Sequence, residues 1–353
     1  MKSSILAGQL ICGGFAGATL SPSFRNALAR GERGGAVIFK RNIESPEGVL
    51  ELNRQIAGAA PTAHPPLIAV DQEGGRVARL KAPLLPVPPM RRLAERKDTA
   101  LLRRVAKAQG QELSALGFTM NASPVLDVDT NPDNPIIGDR SFSRDADEVA
   151  RFALAYADGL SDATILTCGK HFPGHGDTDK DSHLELPTVS HPKERLMNVE
   201  LLPFRRAAAH GLDAFMTAHV VYPALDPGVP ATQSHAICTQ LLRHDLGFRG
   251  VIISDDLEMK AISADTGQAA IRAIAAGCDL LLVCSDEERQ EIALAALVRE
   301  MEANSSFRAR CEDAYARGIA MRNRKRPTPD IAAFHAALVA NAPVRDELAG
   351  LTL

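Results

Sequence analysis

The densest concentration of reactive side chains in this 353-residue sequence is the segment Lys170–Pro187, KHFPGHGDTDKDSHLELP. Its length and its Gly, Pro, Asp and His content mark a long loop, and long ordered loops are usually functional. Three readings of it compete. His171, His175, Asp177, Asp179, Asp181 and His183 are all possible metal ligands. The stretch from Asp177 imitates a calcium loop, but Ser182 stands where a glycine is needed and Thr188 where a glutamate is needed. No HExxH pattern or cysteine cluster suggests zinc. The second reading is a polar surface turn without chemistry. The third is proton transfer. Asp181 and His183 lie two residues apart, so the carboxylate can bond one imidazole nitrogen and leave the other facing a substrate. Such a neighbour favours imidazolium, moving a group of ordinary pKa about 6.5 toward a useful acid at neutral pH.

Further polar groups follow short apolar runs. Leu67–Val70 leads into Asp71-Gln72-Glu73-Gly74-Gly75-Arg76, and Ile165–Cys168 into Gly169-Lys170-His171. Ala214–Thr217 leads into His219, and Val251–Ser254 into Asp255-Asp256. With Gln9–Gly13, Gly35–Phe39, Phe118–Asn121 and Leu280–Val283 these make eight candidate strands, most of them continuously apolar, as strands covered on both faces should be. Amphipathic helices fill the gaps. Thr99–Leu116 sets Leu101, Leu102, Val105, Leu113 and Leu116 on roughly one face, and Gly117, Gly211 and Gly277 stand where helices must stop. This alternation predicts an α/β fold, a single (β/α)8 TIM-type barrel over about residues 9–320. A C-terminal helical tail is expected over about 327–353, with a helix at Pro329–Ala340. The whole chain then reads as one catalytic domain. An open doubly wound sheet is disfavoured because no GxGxxG follows the first strand. In a barrel, residues at strand C-termini share one rim, so the polar groups above converge and point to an enzyme.

Composition excludes other classes. The chain is 45% hydrophobic and 24% charged with net charge −3, the profile of a soluble globular enzyme. The one basic cluster, Arg322–Arg326, reads as a solvated helix end, so no nucleic-acid or membrane partner is expected. Six cysteines without a CxxC read as buried thiols in a reducing compartment, which favours the cytoplasm. The N-terminal MKSSILAGQLICGGFAGA superficially resembles a secretory signal, but Gln9 breaks its apolar run and the fold needs a strand there.

The motifs together resemble glycoside hydrolase family 3, specifically its bacterial β-N-acetylglucosaminidases. Beside the Lys170–Pro187 loop, the matching stretches are GGAVIFKRN (34–42), AVDQEGGRVARL (69–80), GFTMNASPVLDVDTNPDNPIIGDRSF (117–142) and GFRGVIISDDLEMKAI (247–262). They occur in the family's order between about Gln9 and Val283. The resemblance implies a retaining mechanism with Asp255 as nucleophile, His183 as acid/base and Asp181 orienting it. It implies sugar-binding roles for Asp71, Arg79, Arg140, Lys170 and His171, with no metal and no cofactor. The implied partner is a small glycan, an N-acetylglucosaminyl muropeptide handled in cell-wall recycling by a monomeric enzyme. A relative of different sugar preference, a phosphorylase and a catalytically idle sensing barrel are the alternatives. Arg76 and Glu73 are expected to pair with each other, and Asp256 and Glu258 to serve as supporting or helix-capping groups.

Overall fold

Eight short parallel strands close on themselves in the computed structural model, which describes residues 1–178, 186–262, 265–326 and 328–350. They are β1 (Ile11–Gly13), β2 (Gly35–Ile38), β3 (Leu67–Val70), β4 (Met120–Asn121), β5 (Leu166–Phe172), β6 (Ala214–Thr217), β7 (Val251–Asp256) and β8 (Leu280–Val283). Each strand pairs with its sequence neighbours, Gly35 to Leu67 and Ile38 to Val70 for example, and Ile11 paired with Leu281 closes the ring. The fold is thus the expected eight-stranded barrel.

The pleat explains why these runs are apolar throughout. Val37, Leu67, Ala69, Met120, Leu166, Met216, Ile253 and Leu282 fill the barrel interior. Their neighbours Ile68, Val70, Phe215, Ile252, Leu281 and Val283 face outward into the larger core beneath the helices. Side chains alternate across a strand, so burial on both faces demands continuous hydrophobicity.

Helix boundaries follow their caps. Asp98 accepts a bond from Leu101 N to start the helix Thr99–Ala115, and Gly117 follows it with φ 89°. Gly211 ends Leu202–His210 with the same left-handed φ, which glycine adopts without steric cost.

The barrel end at the strands' N-termini is shut by arginines. Asp279, just before β8, meets Arg243, Arg310 and Arg317 at 2.7, 2.8 and 3.1 Å. Helix Ser305–Arg324 lies across this end, with Met321 packed on the interior residues. Arg322, expected at a solvated helix end, is instead 1% exposed and donates to Gly34 O at 2.7 Å. Arg322 alone of the basic run is drawn into the barrel end; Arg324 and Arg326 remain exposed, as a solvated helix end should be.

Other expectations need adjustment. Gln9 lies outside β1; its amide donates to Gly31 O and Arg33 O at 2.8 and 3.0 Å, tying down the turn before β2. The tail is two helices, Ile331–Ala340 and Ala342–Ala349, and Asn341 between them donates to Ala108 O of the helix Thr99–Ala115. Two hairpins, Gln72–Gly74 with Val77–Ala78 and Val221–Tyr222 with Asp226–Pro230, were not foreseen. All six cysteines are buried thiols, and burial pushes those of Cys12, Cys168 and Cys311 up to about 12.

Candidate active site

A cavity of about 270 Å³ opens at the C-terminal ends of the strands. Its floor is the apolar barrel interior, including Met120, Met216, Ile253 and Leu282. Around its wall stand Asp71, Arg79, Arg140, Lys170, His171 and Asp255, six of the eight residues singled out in the sequence. The other two, Asp181 and His183, lie outside the described residues. A larger cleft of about 810 Å³ runs along Lys81–Pro89, with four prolines and three leucines in its wall, and none of these six side chains lines it.

The loop after β3 is held by two amides. Asn121, ending β4, accepts from Gln72 N and donates to Gln72 O at 3.0 and 2.8 Å. The Gln72 side chain in turn accepts from Arg79 N and Leu80 N and donates to Leu80 O, which fixes the hairpin. Asp71 and Arg79 thereby come to the same wall, Arg79 Nη2 donating to Asp71 Oδ2 at 3.1 Å.

β5 runs on past Cys168 to Phe172, so Lys170 and His171 belong to the strand itself and not to the loop beyond it. Lys170 Nζ is shared by Asp71 Oδ1 at 2.8 Å and Glu73 Oε1 at 2.6 Å. Arg140 forms a two-pronged pair with Glu73, both bonds 2.9 Å. Arg76, expected to pair with Glu73, bonds instead to the carbonyls of Pro135, Ile136 and Ile137. The reason is that a buried carboxylate between Arg140 and Lys170 is already saturated. Burial alone would raise the Glu73 carboxyl, but Arg140 and Lys170 outweigh it and hold it at about 2. Asp71 is likewise held well below the usual carboxylate range, Lys170 and Arg79 outweighing the effect of burial. The wall is therefore a chain of alternating fixed charges, Arg79–Asp71–Lys170–Glu73–Arg140.

Asp127 is the support that the sequence reading missed. It is fully buried, and its Oδ2 accepts from His171 Nδ1 at 2.7 Å. Its oxygens also take the backbone N–H groups of His171 and His175. The bond sets the orientation of the His171 ring. His175 packs edge-on against it, ring centroids 5.8 Å apart, and burial with His171 nearby lowers His175 to about 4. His175 is thus neutral at physiological pH. The sequence around Asp127, Leu126-Asp127-Val128-Asp129, alternates apolar and acidic residues, a pattern that by itself names no partner for the carboxylate.

Asp255 sits near the end of β7, half-buried at the cavity wall. Burial would raise its carboxyl, but the imidazoles of His219 and His171, the Asp256 N–H at 2.8 Å and Lys170 together lower it. It is an ionised carboxylate facing a cavity, which is what a nucleophile requires. His219 follows β6, fully buried, with Nδ1 2.7 Å from Thr232 Oγ1 and Nε2 3.0 Å from Asp256 O. Asp256 also lines the cavity, and its Oδ1 accepts from Glu258 N and Cys284 N, both at 3.2 Å. It braces the loop after β7 against β8 and does not cap a helix.

An anionic carboxylate faced by a wall of paired charges over an apolar floor suits a polar ring with one carbon to be attacked. Residues 8–319 match the family model described as the glycosyl hydrolase family 3 N-terminal domain. The chain belongs to glycosyl hydrolase family 3. It is a glycoside hydrolase, and its relatives in that family are β-hexosaminidases. The Chromobacterium violaceum β-hexosaminidase is 39% identical over 351 residues, covering 95% of both chains. The Pseudomonas aeruginosa one (strain LESB58) is 41% identical over 287 residues, covering 80% of this chain and 84% of its own. The structure of NagZ from Neisseria gonorrhoeae in complex with N-trifluoroacetyl-D-glucosamine is 33% identical, covers 97% of each chain and superposes with a TM-score of 0.81.

Proposed function

We propose that this family 3 enzyme is a retaining exo-β-N-acetylglucosaminidase with Asp255 as its nucleophile. The observation that carries the reading is the placement of Asp255, an ionised carboxylate across one small cavity from Asp71, Arg79 and Lys170. The likeness to a NagZ bound to an N-acylglucosamine analogue gives the sugar class. Asp71, Arg79, Arg140, Lys170 and His171 hold the sugar hydroxyls. The fixed charges provide donors and acceptors, so that no hydroxyl is left unpaired on burial.

In the first step Asp255 forms a bond to the anomeric carbon as the bond to the aglycone oxygen breaks. His183, oriented by Asp181, gives that oxygen its proton. In the second step His183, now neutral, takes a proton from water as the water oxygen displaces Asp255. The substrate is an N-acetylglucosaminyl muropeptide handled in cell-wall recycling, the compartment is the cytoplasm and the enzyme acts as a monomer. Among the described residues no helix is long and apolar enough to cross a membrane.

The purified protein should release a chromophore from an aryl N-acetylglucosaminide. Asp255→Ala should lose activity by several orders of magnitude, and stopped turnover should yield a glycosylated peptide containing Asp255 by mass spectrometry. Undiminished activity in the variant would overturn the assignment. Faster release with added phosphate, giving the sugar 1-phosphate, would make the enzyme a phosphorylase.

A further inference from the structure

Asp177, His191 and Glu200 converge on one another outside the cavity lining and take no part in the chemistry above. Asp177 lies in the loop after β5, His191 before the helix Lys193–Asn198, and Glu200 in the turn between that helix and Leu202–His210. Each offers one ligand atom, and these three atoms all lie within 4.8 Å of one another. His191 Nε2 is 2.5 Å from Asp177 Oδ2. Thr130 Oγ1 donates to the other oxygen, Asp177 Oδ1, at 2.7 Å.

The second observation is an unsatisfied atom. Glu200 is 1% exposed, and its Oε2 is buried with no hydrogen-bond partner. A buried carboxylate oxygen without a donor is costly, and such atoms usually mark a missing ligand or ion. The nearest cation, Arg195, reaches Glu200 Oε1 at 3.3 Å and Asp177 Oδ1 only at 3.9 Å. It therefore serves Glu200 Oε1 and, at longer range, the Asp177 oxygen that Thr130 already faces, and leaves Glu200 Oε2 unserved. Arg195 is 38% exposed, so it is a loose counter-ion that a bound cation can displace into solvent.

We propose that Asp177, His191 and Glu200 form a site for a divalent transition-metal ion of the zinc class. An imidazole with two carboxylates is a three-ligand set that leaves a fourth position for water. The imidazole selects against magnesium and calcium, which prefer oxygen donors throughout. In sequence, Asp177 and His191 stand on either side of residues 179–185. The ion ties the flanks of the segment that holds Asp181 and His183, and its role there is structural. The site stands independently of the catalytic reading.

The test is calorimetric titration of the chelator-treated full chain with zinc chloride, and separately with magnesium chloride. One zinc equivalent should bind and magnesium should not. His191→Gln and Glu200→Gln should each weaken zinc binding by about tenfold or more. His183→Ala should abolish glycosidase activity yet keep this zinc equivalent, so the two readings fail separately. Absence of zinc binding would overturn the site, as would wild-type affinity in both variants. Loss of the zinc equivalent in His183→Ala alone would assign the ion to the catalytic centre and also overturn it. Should Glu200→Gln fail to fold by circular dichroism, the half-buried His191→Gln decides the matter.

Discussion

Lys170 Nζ lies 2.6 Å from Glu73 Oε1, and the two side chains are only 3% and 1% exposed. The same ammonium also serves Asp71, so one cation bridges two carboxylates in the cavity wall. Removing it leaves two neighbouring carboxylates with only one arginine each, Arg79 on Asp71 and Arg140 on Glu73.

Lys170→Met should therefore destabilise the fold by about 3–5 kcal/mol, the usual cost of breaking a buried ion pair from one side. Urea denaturation measures this. Glycosidase activity should fall as well, because Asp71 loses the partner that orients it. A variant as stable as the parent would show that Arg79 and Arg140 suffice to hold both carboxylates.

Asp256 adds a pH dependence near neutrality. Burial first, then the neighbouring Glu258 and Asp255, raise its carboxyl to about 7. The unfolded chain releases this proton near pH 4. Between those values the folded state binds more protons than the unfolded, so stability falls as pH rises through that window. Asp256→Asn keeps the acceptor for Glu258 N and Cys284 N but removes the charge. It should be more stable than the parent above pH 7, by roughly 1–4 kcal/mol. Its stability curve between pH 4 and 7 should be flatter. Thermal melts across that range give the answer.

Asp127 is predicted to position His171 and not to touch the sugar. Asp127→Ala leaves an imidazole N–H and two backbone N–H groups without their acceptor, at a cost of about 1–3 kcal/mol for each group left unsatisfied. Asp127→Asn keeps one oxygen but turns an N–H toward some of those donors. Its activity should drop about 10–100-fold, by analogy with residues that orient a histidine from behind. The loss should appear mainly in kcat, with a shifted acid limb of the pH profile. A change confined to thermal stability would reduce Asp127 to a packing role.

Gly176 tests how tightly the start of the histidine-rich loop is packed. A Cβ at this position would lie 1.7 Å from the carbonyl oxygen of Val128, a backbone atom that cannot rotate away. Gly176→Ala should cost at least about 1–3 kcal/mol, the range for overpacking a filled interior. It should also displace His175 and Asp177, its chain neighbours. Unchanged melting temperature and activity would mean that the loop has room to shift.

Much of the architecture was legible because barrel strands are buried on both faces. Leu67–Val70, Ala214–Thr217 and Leu280–Val283 occur at the bounds that their apolar runs suggest. Errors arose where polarity interrupts a strand. β5 continues through Lys170 and His171, whose polar side chains are met by Asp71, Glu73 and Asp127, and such pairing is invisible to hydrophobic patterning. The hairpin Gln72–Gly74 with Val77–Ala78 is likewise built by polar side chains, not by alternation. At the site, residue type and position at a strand end were enough to select Asp71, Lys170, His171 and Asp255. Partner choice was not legible. Glu73 meets Arg140, 67 residues away in the chain, and not Arg76 beside it. Only the closed ring of strands brings those residues together. Gln72, Asn121, Asp127 and Glu200 were overlooked for the same reason, since a supporting residue has no signature apart from what it supports.

The buried thiols leave the molecular surface chemically silent toward alkylating reagents. With all six native thiols buried and those of Cys12, Cys168 and Cys311 raised to about 12, essentially none of these three is present as the reactive anion at neutral pH. A cysteine introduced at an exposed position such as Ile292 or Val339 would be the only site to take up a maleimide dye. Distances from such a dye to a fluorescent sugar could be followed during turnover without first stripping the protein of its own sulfur.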